Sequence, residues 1–168
     1  MASMRTLAKT AVFSVLVPGT VAVAMPRLLA VWRPRPRIPL SRAAGRIAGA
    51  GAIVAGVVLY LHTAWRFATD GRGTPSPTDE PAALVTGGSY AHIRNPMYVA
   101  VLLIVVGQAL VARSVAVLWW AVGCWIGFHN RVVGYEEPHL AETHGEEYDR
   151  YRERVPRWIP RWRRKAPG

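Results

Sequence analysis

Polar and aromatic side chains crowd the start of one apolar segment, in the stretch formed by residues 84–98. Tyr90, Arg94, Asn95 and Tyr98 fall close together there, and an apolar run follows at once. The first turn of a helix leaves backbone N–H groups without intrahelical partners. These side chains and backbone donors would therefore lie together at the mouth of a membrane helix, where they could hold a polar ligand next to lipid.

The turn that opens this stretch has the composition of a tight turn before a helix. Gly87 and Gly88 tolerate backbone angles that other residues avoid. Pro96 suits the first turn of a helix, where a missing N–H group costs nothing. We therefore predict a turn near Gly88 and a helix that begins close to residue 97.

Carboxylates are confined to residues 70–168, since no Asp or Glu precedes Asp70. Glu136 and Glu137 are the pair that follows the last apolar run, a few residues after Arg131. Two interpretations stay open for the pair: it borders a membrane pocket, or it is two solvated charges beyond the end of a helix. Any carboxylate chemistry must come from this part of the chain.

The elements that position these groups are apolar blocks long enough to span a bilayer. The chain has 168 residues, of which 51% are hydrophobic, and a formal net charge of +11. We predict an all-α integral membrane bundle of about four transmembrane helices with a C-terminal interfacial helix, in a single domain covering residues 1–168. The four helices are predicted near residues 8–31, 43–67, 97–112 and 115–134.

The first and second blocks each carry an alternative. The first reads as a retained membrane helix or as a cleaved signal peptide with a site after Ala24. The second is rich in Gly and Ala, which let helices approach closely. Near its end, His62 and Arg66 are either interfacial anchors or residues that line the pocket.

Two further segments flank the predicted helices. Residues 33–42 alternate Arg with Pro and form an extended connector whose arginines lie on lipid phosphates or form a basic site. Toward the C-terminus, Leu140, Tyr148, Tyr151 and Val155 share a helical stripe that we predict on the membrane surface. With four spans, 14 basic residues lie on the side of both termini and 7 on the other. This excess predicts cytosolic N- and C-termini, and the composition suggests a bacterial inner membrane protein.

Four motifs in order resemble the isoprenylcysteine carboxyl methyltransferase family and the wider group of membrane phospholipid methyltransferases. They are Leu84-Val-Thr-x-Gly-x-Tyr90, Arg94-Asn95-Pro96-x-Tyr98, Glu136-Glu137-x-x-Leu140, and Gly145-Glu-Glu-Tyr148-x-x-Tyr151-x-x-x-Val155-Pro156. The resemblance implies that residues 84–160 bind S-adenosyl-L-methionine on the cytosolic side, and that a lipophilic acceptor enters from the bilayer.

The resemblance also implies roles for individual residues. The implied cofactor-binding set is Leu84, Val85, Tyr90, Arg94, Asn95, Pro96, Met97, Tyr98 and Glu136, with Glu136 meeting the ammonium group of the cofactor. Arg94 is alternatively a positive-inside anchor. The implied catalytic residues are Arg131, which would face an acceptor carboxylate, and Glu137. A sulfonium donor loses its positive charge as the methyl group leaves, so positioning alone can supply the catalysis.

The chain departs from the family pattern at three positions. Asn95 stands where the prenylcysteine enzymes usually have His, and His144 where Phe usually precedes Gly-Glu-Glu-Tyr. Arg131 lies one residue away from the expected arginine. These departures bear on the acceptor more than on the cofactor.

The acceptor expected from these features is an isoprenoid or lipid-like carboxylate, thiol or amine. The partners predicted are this acceptor and membrane lipids, with neither nucleic acid nor a metal, and the oligomeric state stays open. A membrane reductase that uses NADPH, of the steroid 5-alpha-reductase and sterol reductase kind, is the alternative. Those enzymes have an Arg-His-Pro-x-Tyr element, which Arg94-Asn95-Pro96-x-Tyr98 resembles except at Asn95, and a similar C-terminal end. A non-catalytic membrane scaffold is the third hypothesis.

Overall fold

The computed structural model describes residues 19–32, 36–69 and 83–160. Within these ranges the regular secondary structure is helical, apart from one isolated β-bridge between Arg37 and Ser114. The α-helices are Met25–Trp32 (α1), Arg42–Thr69 (α2), Pro96–Ala112 (α3), Val115–Arg131 (α4), Glu137–His144 (α5) and Glu146–Arg154 (α6). The π-helical turns Thr20–Ala24 and Val132–Glu136 lead into α1 and α5, and a 3₁₀ turn, Gly88–Ala91, precedes α3. The all-α prediction is thus confirmed for the described residues.

The helices α2 and α3 pack so closely that only glycine fits at several contacts. A Cβ atom on Gly49 would lie 2.5 Å from the carbonyl oxygen of Gly107. A Cβ atom on Gly56 would lie 2.7 Å from the carbonyl oxygen of Ala100. Small residues at helix interfaces allow this backbone approach, so the Gly-rich composition of α2 is what places α3 against it.

A tight turn joins α3 to α4. Arg113 has φ 52° and ψ 37°, a left-handed conformation that ends α3. The Ser114 hydroxyl then accepts a hydrogen bond from the backbone N–H of Val117 at 3.4 Å and caps α4. Val117 and Ala109 are fully buried between the two helices, so this hairpin forms the centre of the apolar core.

The first described helical segment packs into the same core. Ala22 is buried, and the indole N–H of Trp120 donates to the carbonyl oxygen of Val21 at 2.9 Å. The amide of Gln108 donates to the carbonyl oxygen of Ala22. These contacts fix residues 20–32 against α3 and α4. Residues 8–18 of the predicted first helix lie outside the described residues.

Among the described residues, one helix is long and apolar enough to cross a membrane, over Arg42–Arg66 with a mean hydropathy of 1.8. Its large apolar side chains remain exposed along one face, at the helical spacing that lines up a stripe. The exposed residues are Ile47, Val54, Val58, Leu61 and Trp65. Since α3 and α4 have 17 residues each, four membrane spans stay a prediction.

The C-terminal part differs from the prediction of one interfacial helix. Gly145, with φ 51°, breaks it into α5 and α6. The predicted stripe turns inward: Tyr148 and Tyr151 are 1% and 5% exposed, and they pack with Val155 against Leu84. The prediction of a stripe on the membrane surface was therefore wrong, because these tyrosines are buried in contacts within the protein, where the hydroxyl of Tyr151 donates to the carbonyl oxygen of Tyr90.

Candidate functional site

The turn before α3 lies directly on the end of α2. Gly88 has φ 61°, and a Cβ atom there would meet the imidazole Nε2 of His62 at 2.8 Å and the Nε atom of Arg66 at 3.0 Å. Any larger residue would push these side chains away. Both His62 and Arg66 therefore lie beside the turn that precedes the predicted site, and the choice between interfacial anchors and pocket-lining residues stays open.

Several residues of the predicted cofactor set form the walls of this region rather than a polar surface. Val85, Tyr90 and Pro96 are buried, and Leu84 packs against the tyrosine cluster of α6. The hydroxyl of Tyr151 donates to the carbonyl oxygen of Tyr90 at 2.8 Å. Burial raises the pKa of both tyrosines, so both stay neutral phenols. They fix the backbone of the turn.

Glu136 lies at the centre of the more open half of the site. The hydroxyl of Tyr98 and the Nε–H of Arg131 both donate to its Oε1 atom, the latter at 2.9 Å. The π-helical turn Val132–Glu136 inserts an extra residue after α4 and so presents Glu136 toward the start of α3. Its side chain is 27% exposed and that of Arg131 is 46% exposed. Among the described residues Oε2 accepts no hydrogen bond.

A cluster of aromatic rings lies around Tyr98, whose hydroxyl donates to this carboxylate. The ring of Tyr98 lies 4.6 Å from that of Phe128 and 6.4 Å from that of Trp158. The indole N–H of Trp158 donates to Nδ1 of His129 at 3.2 Å, and His129 stacks on Trp125. The cluster joins residues far apart in the chain, so no local signal in the sequence indicated that Trp158 and His129 belong to the site.

Glu137 faces the other way and is bound by two arginines. Its Oε1 atom lies 3.0 Å from Nη1 of Arg94 and 2.6 Å from Nε of Arg157, and its Oε2 accepts from Nη2 of Arg157 at 2.8 Å. Arg94 also donates to the hydroxyl of Tyr148 at 3.0 Å. Burial acts to raise the pKa of Glu137, but the hydrogen bonds from Arg157 and the charges of both arginines hold it below its ordinary value.

The segment that carries Arg157 is fastened to the turn before α3. The backbone N–H of Arg94 donates to the carbonyl oxygen of Pro156 at 2.9 Å. The side-chain amide of Asn95 donates to the carbonyl oxygen of Arg157 at 3.2 Å. Asn95 therefore holds the C-terminal segment in place, which gives a physical reason for an amide at this position. The neighbouring Met97 is half-buried.

The predicted site residues thus fall into three groups. Tyr98, Arg131 and Glu136 meet around one carboxylate, and Arg94 and Glu137 meet in an ion pair with Arg157. The remaining predicted residues are structural walls or their neighbours. Within the described ranges, no three His, Cys, Asp or Glu side chains are grouped as metal ligands.

Residues 44–147 match the profile of the phospholipid methyltransferase family, which is well over half of the chain. The chain belongs to this family. The family match covers α2, α3, α4 and α5 with both glutamates of the site. It ends before Arg157 and Trp158, whereas His129, which the sequence did not indicate either, lies inside the matched range.

Two curated relatives carry the same resemblance within the family. The chain is 37% identical over 78 residues to the protein-S-isoprenylcysteine O-methyltransferase of Schizosaccharomyces pombe, covering 46% of this chain and 33% of that protein. It is 35% identical over 83 residues to protein-S-isoprenylcysteine O-methyltransferase B of Arabidopsis thaliana, covering 49% of this chain and 42% of that protein. The chain thus spans less than half the length of either relative. No solved structure matches significantly.

These comparisons confirm the predicted resemblance to isoprenylcysteine methyltransferases. Both relatives come from eukaryotes, a fungus and a plant. The predicted bacterial source and inner membrane location therefore stay predictions.

Proposed function

We propose that this phospholipid methyltransferase family member transfers a methyl group from S-adenosyl-L-methionine to a lipophilic acceptor that enters from the bilayer. The acceptor class is an isoprenoid or lipid-like carboxylate, thiol or amine. The observation that carries the proposal is the Glu136 carboxylate, held by Tyr98 and Arg131 among aromatic rings within the range that matches the family.

The donor set around Glu136 fits a cationic cofactor. One carboxylate oxygen is used by Tyr98 and Arg131, while Oε2 has no partner among the described residues and is partly exposed. A carboxylate oxygen in this setting suits an ammonium group through a charge-assisted hydrogen bond. The rings of Tyr98, Phe128 and Trp158 offer flat surfaces for a purine and a sulfonium.

When bound, the cofactor supplies an electrophilic methyl group on a positively charged sulfur. The chain itself binds and orients, and needs no general base for a carboxylate acceptor. Tyr98 and Arg131 hold Glu136 in one orientation, and the buried wall of Val85 and Tyr90 keeps water from that side. Holding reacting groups in line in a dry site contributes several kcal/mol to a rate enhancement.

We assign different roles to the two residues predicted to be catalytic. Arg131 is half-exposed and lies 5.2 Å above the ring of Tyr135, so its guanidinium can face an anionic acceptor while its Nε holds Glu136. Glu137 has both oxygens occupied by arginines. It is a positioning residue that fixes Arg94 and the segment around Arg157.

An exposed apolar face on α4 provides a route from lipid. Trp119, Val122, Trp125 and Ile126 are exposed at helical spacing. Trp125 stacks on His129, which is hydrogen-bonded to Trp158 beside Tyr98. A hydrocarbon chain lying along α4 would bring its polar end to the Glu136 site. We further propose about four membrane spans, with the site and both termini on the cytosolic side, because 14 basic residues would lie on that side and 7 on the other.

In the decisive experiment, the full chain is purified in detergent and incubated with a total lipid extract and with S-adenosyl-L-methionine that carries a labelled methyl group. Organic extraction then shows whether the label has entered the lipid phase. We expect label in the lipid phase from the unmodified protein and at least tenfold less from Glu136→Gln. The matched control is Glu142→Gln, which removes an exposed carboxylate from α5. It should retain the activity.

Other outcomes are equally informative. Label only in water-soluble products would contradict an acceptor that enters from lipid. Label in neither phase, together with binding of NADPH by calorimetry, would replace methyl transfer with the reductase hypothesis. Binding of neither cofactor would leave the non-catalytic scaffold.

A further inference from the structure

Four arginines converge at the end of α2 that lies farthest from the Glu136 site. Arg37, Arg42, Arg46 and Arg113 line a cleft of about 310 Å³ together with Val111 and Ala112. Arg42 and His62 lie twenty residues apart on α2, which corresponds to about 30 Å along the helix. The hydrocarbon core of a bilayer has about this thickness. The cleft and the Glu136 site therefore lie at opposite membrane surfaces.

The backbone builds this cleft from three separate segments. The N–H of Ile38 donates to the carbonyl oxygen of Arg113 at 2.9 Å, which holds the connector against the turn between α3 and α4. A Cβ atom on Gly45 would lie 2.7 Å from the carbonyl oxygen of Leu110 and 3.5 Å from Cγ of Arg113. The absence of a side chain at Gly45 thus leaves room for Arg113 beside the first turn of α2.

Within the described part of the chain, no carboxylate forms an ion pair with these arginines. No Asp or Glu precedes Asp70 in the sequence, and none of the ion pairs formed within the described ranges involves the four arginines. The Nε atom of Arg113 is buried and has no hydrogen-bond partner among the described residues. A bound anion would satisfy it.

The placement of Arg42 and Arg46 makes the need for an anion stronger. Both lie at the start of α2, where the backbone dipole is already positive and favours negative groups. They are also four residues apart, a spacing at which like charges on a helix repel. Guanidinium groups match the geometry of phosphate oxygens. The chemistry that suits this cleft is a phosphate group.

We infer that the arginine cleft binds the phosphate of an anionic lipid headgroup at the membrane surface opposite the Glu136 site. Apolar side chains continue from the cleft and favour an amphiphilic ligand over a free phosphate. Val111 lines the cleft and is 43% exposed, and Ile47, next to Arg46, is 76% exposed. Acyl chains would lie on this surface. The inference is independent of the proposed methyl transfer.

The test uses the full chain in a neutral detergent and follows its thermal unfolding midpoint during titration. One arm adds dioctanoyl phosphatidic acid, a second adds inorganic phosphate, and a third adds dioctanoyl phosphatidylcholine, all at one ionic strength set with chloride. We expect phosphatidic acid to raise the midpoint at concentrations at least tenfold lower than inorganic phosphate. Phosphatidylcholine should have little effect, because its headgroup carries no net charge.

The variant Arg42→Gln/Arg46→Gln should weaken phosphatidic acid binding at least tenfold. Its matched control is Arg150→Gln/Arg154→Gln, which removes two exposed arginines at the same spacing on α6. The control should bind within twofold of the unmodified protein. A second variant, Arg113→Gly, relieves the left-handed backbone at φ 52° and should raise the midpoint without ligand while weakening binding.

Equal effects of phosphatidic acid and inorganic phosphate, both lost in the cleft variant, would overturn the lipid source and assign the cleft to soluble phosphate. Equal binding by the cleft variant and its α6 control would overturn the site altogether. If the double variant does not fold, Arg113→Gly gives the same decision. Unweakened binding in that variant contradicts the inference.

Discussion

Two neighbouring glutamates occupy contrasting environments in this protein. Glu137 is 15% exposed, and both of its oxygens are bound by arginines from the turn before α3 and from the C-terminal segment. Glu136 is 27% exposed, and among the residues that the structure describes only its Oε1 atom is bound, by Tyr98 and Arg131. Two adjacent residues thus differ: both oxygens of Glu137 accept hydrogen bonds from arginines, whereas Oε2 of Glu136 accepts none among the described residues.

The difference between the two glutamates arises at a local irregularity of the backbone, the π-helical turn Val132–Glu136. The π-helical turn ends at Glu136, and α5 begins at Glu137. Successive residues of a helix point in directions about 100° apart, so the two carboxylates face different partners. Glu137 assembles the frame on which Tyr98 and Glu136 are held, and Glu136 meets the cofactor in the function that we propose.

The largest effect is expected from Glu137→Gln. The change leaves Arg94, which is 11% exposed, without its charged partner. Breaking such a pair from one side costs about 3 kcal/mol of unfolding free energy. Chemical denaturation in detergent measures this difference. The control is Glu142→Gln on the exposed side of the same helix, and equal stability of the two variants would remove Glu137 from its structural role.

A smaller and different effect is expected from Glu136→Gln. Loss of a hydrogen bond to a charged group costs about 1.5–3 kcal/mol, so affinity for the cofactor should fall about 10- to 100-fold. The unfolding free energy should change by less than about 1 kcal/mol, because this carboxylate is partly solvated. Calorimetric titration and denaturation of the same sample measure both. If Glu136→Gln lowered the unfolding free energy as much as Glu137→Gln, the two glutamates would not differ in their structural roles.

A third effect, on cofactor affinity, is expected when the hydroxyl of Tyr98 that donates to Glu136 is removed. Tyr98→Phe keeps the ring beside Phe128 and removes the donor to Glu136. We expect about a fivefold loss of cofactor affinity, since one hydrogen bond contributes about 1 kcal/mol. Tyr135→Phe is the control, because Tyr135 is 49% exposed and its ring stacks on His139. Equal affinities of the two variants would mean that Glu136 needs no orientation by Tyr98.

The smallest expected effect is a pH dependence of the unfolding free energy that comes from Glu137. The pKa of Glu137 is held below its ordinary value of 4.5. A lowered pKa in the folded state gives stability that is present above the unfolded value and is lost as pH falls through the folded one. The protein should therefore lose stability below about pH 4.5. Denaturation between pH 6 and pH 3 should show a shallower loss for Glu137→Gln than for Glu142→Gln, and parallel curves would contradict this.

Sequence reasoning came close on helices whose ends have local signals. Pro96 begins α3, Ser114 caps the start of α4, and α2 occupies Arg42–Thr69 against a predicted 43–67. Helix ends depend on residues nearby in the chain, so they can be read locally. The break at Gly145 was missed because the tyrosine stripe fits a continuous helix equally well. Its inward packing depends on contacts with Leu84 that no local pattern shows.

The residues of the candidate site likewise include some that the sequence indicated and some that only contacts between distant residues reveal. The family motifs contain Tyr98 and Glu136, and the resemblance pointed to Arg131 one residue from the expected arginine; the fold brings the three together. Arg157 and Trp158 lie in a basic and aromatic stretch without periodicity, and only the hydrogen bonds to Asn95 and His129 show their place. When two residues in contact are dozens of positions apart in the chain, their spacing forms no pattern that can be recognised in the sequence.

The central claim, a cofactor site that depends on Glu136 and not directly on Glu137, is tested most directly by calorimetric titration with S-adenosylhomocysteine. The unmodified protein, Glu136→Gln and Glu137→Gln are compared at a temperature where circular dichroism shows all three folded. We predict binding by the unmodified protein, binding about 10- to 100-fold weaker for Glu136→Gln, and binding within about threefold of the unmodified value for Glu137→Gln. No binding by the unmodified protein, or equal losses in the two variants, would contradict the claim.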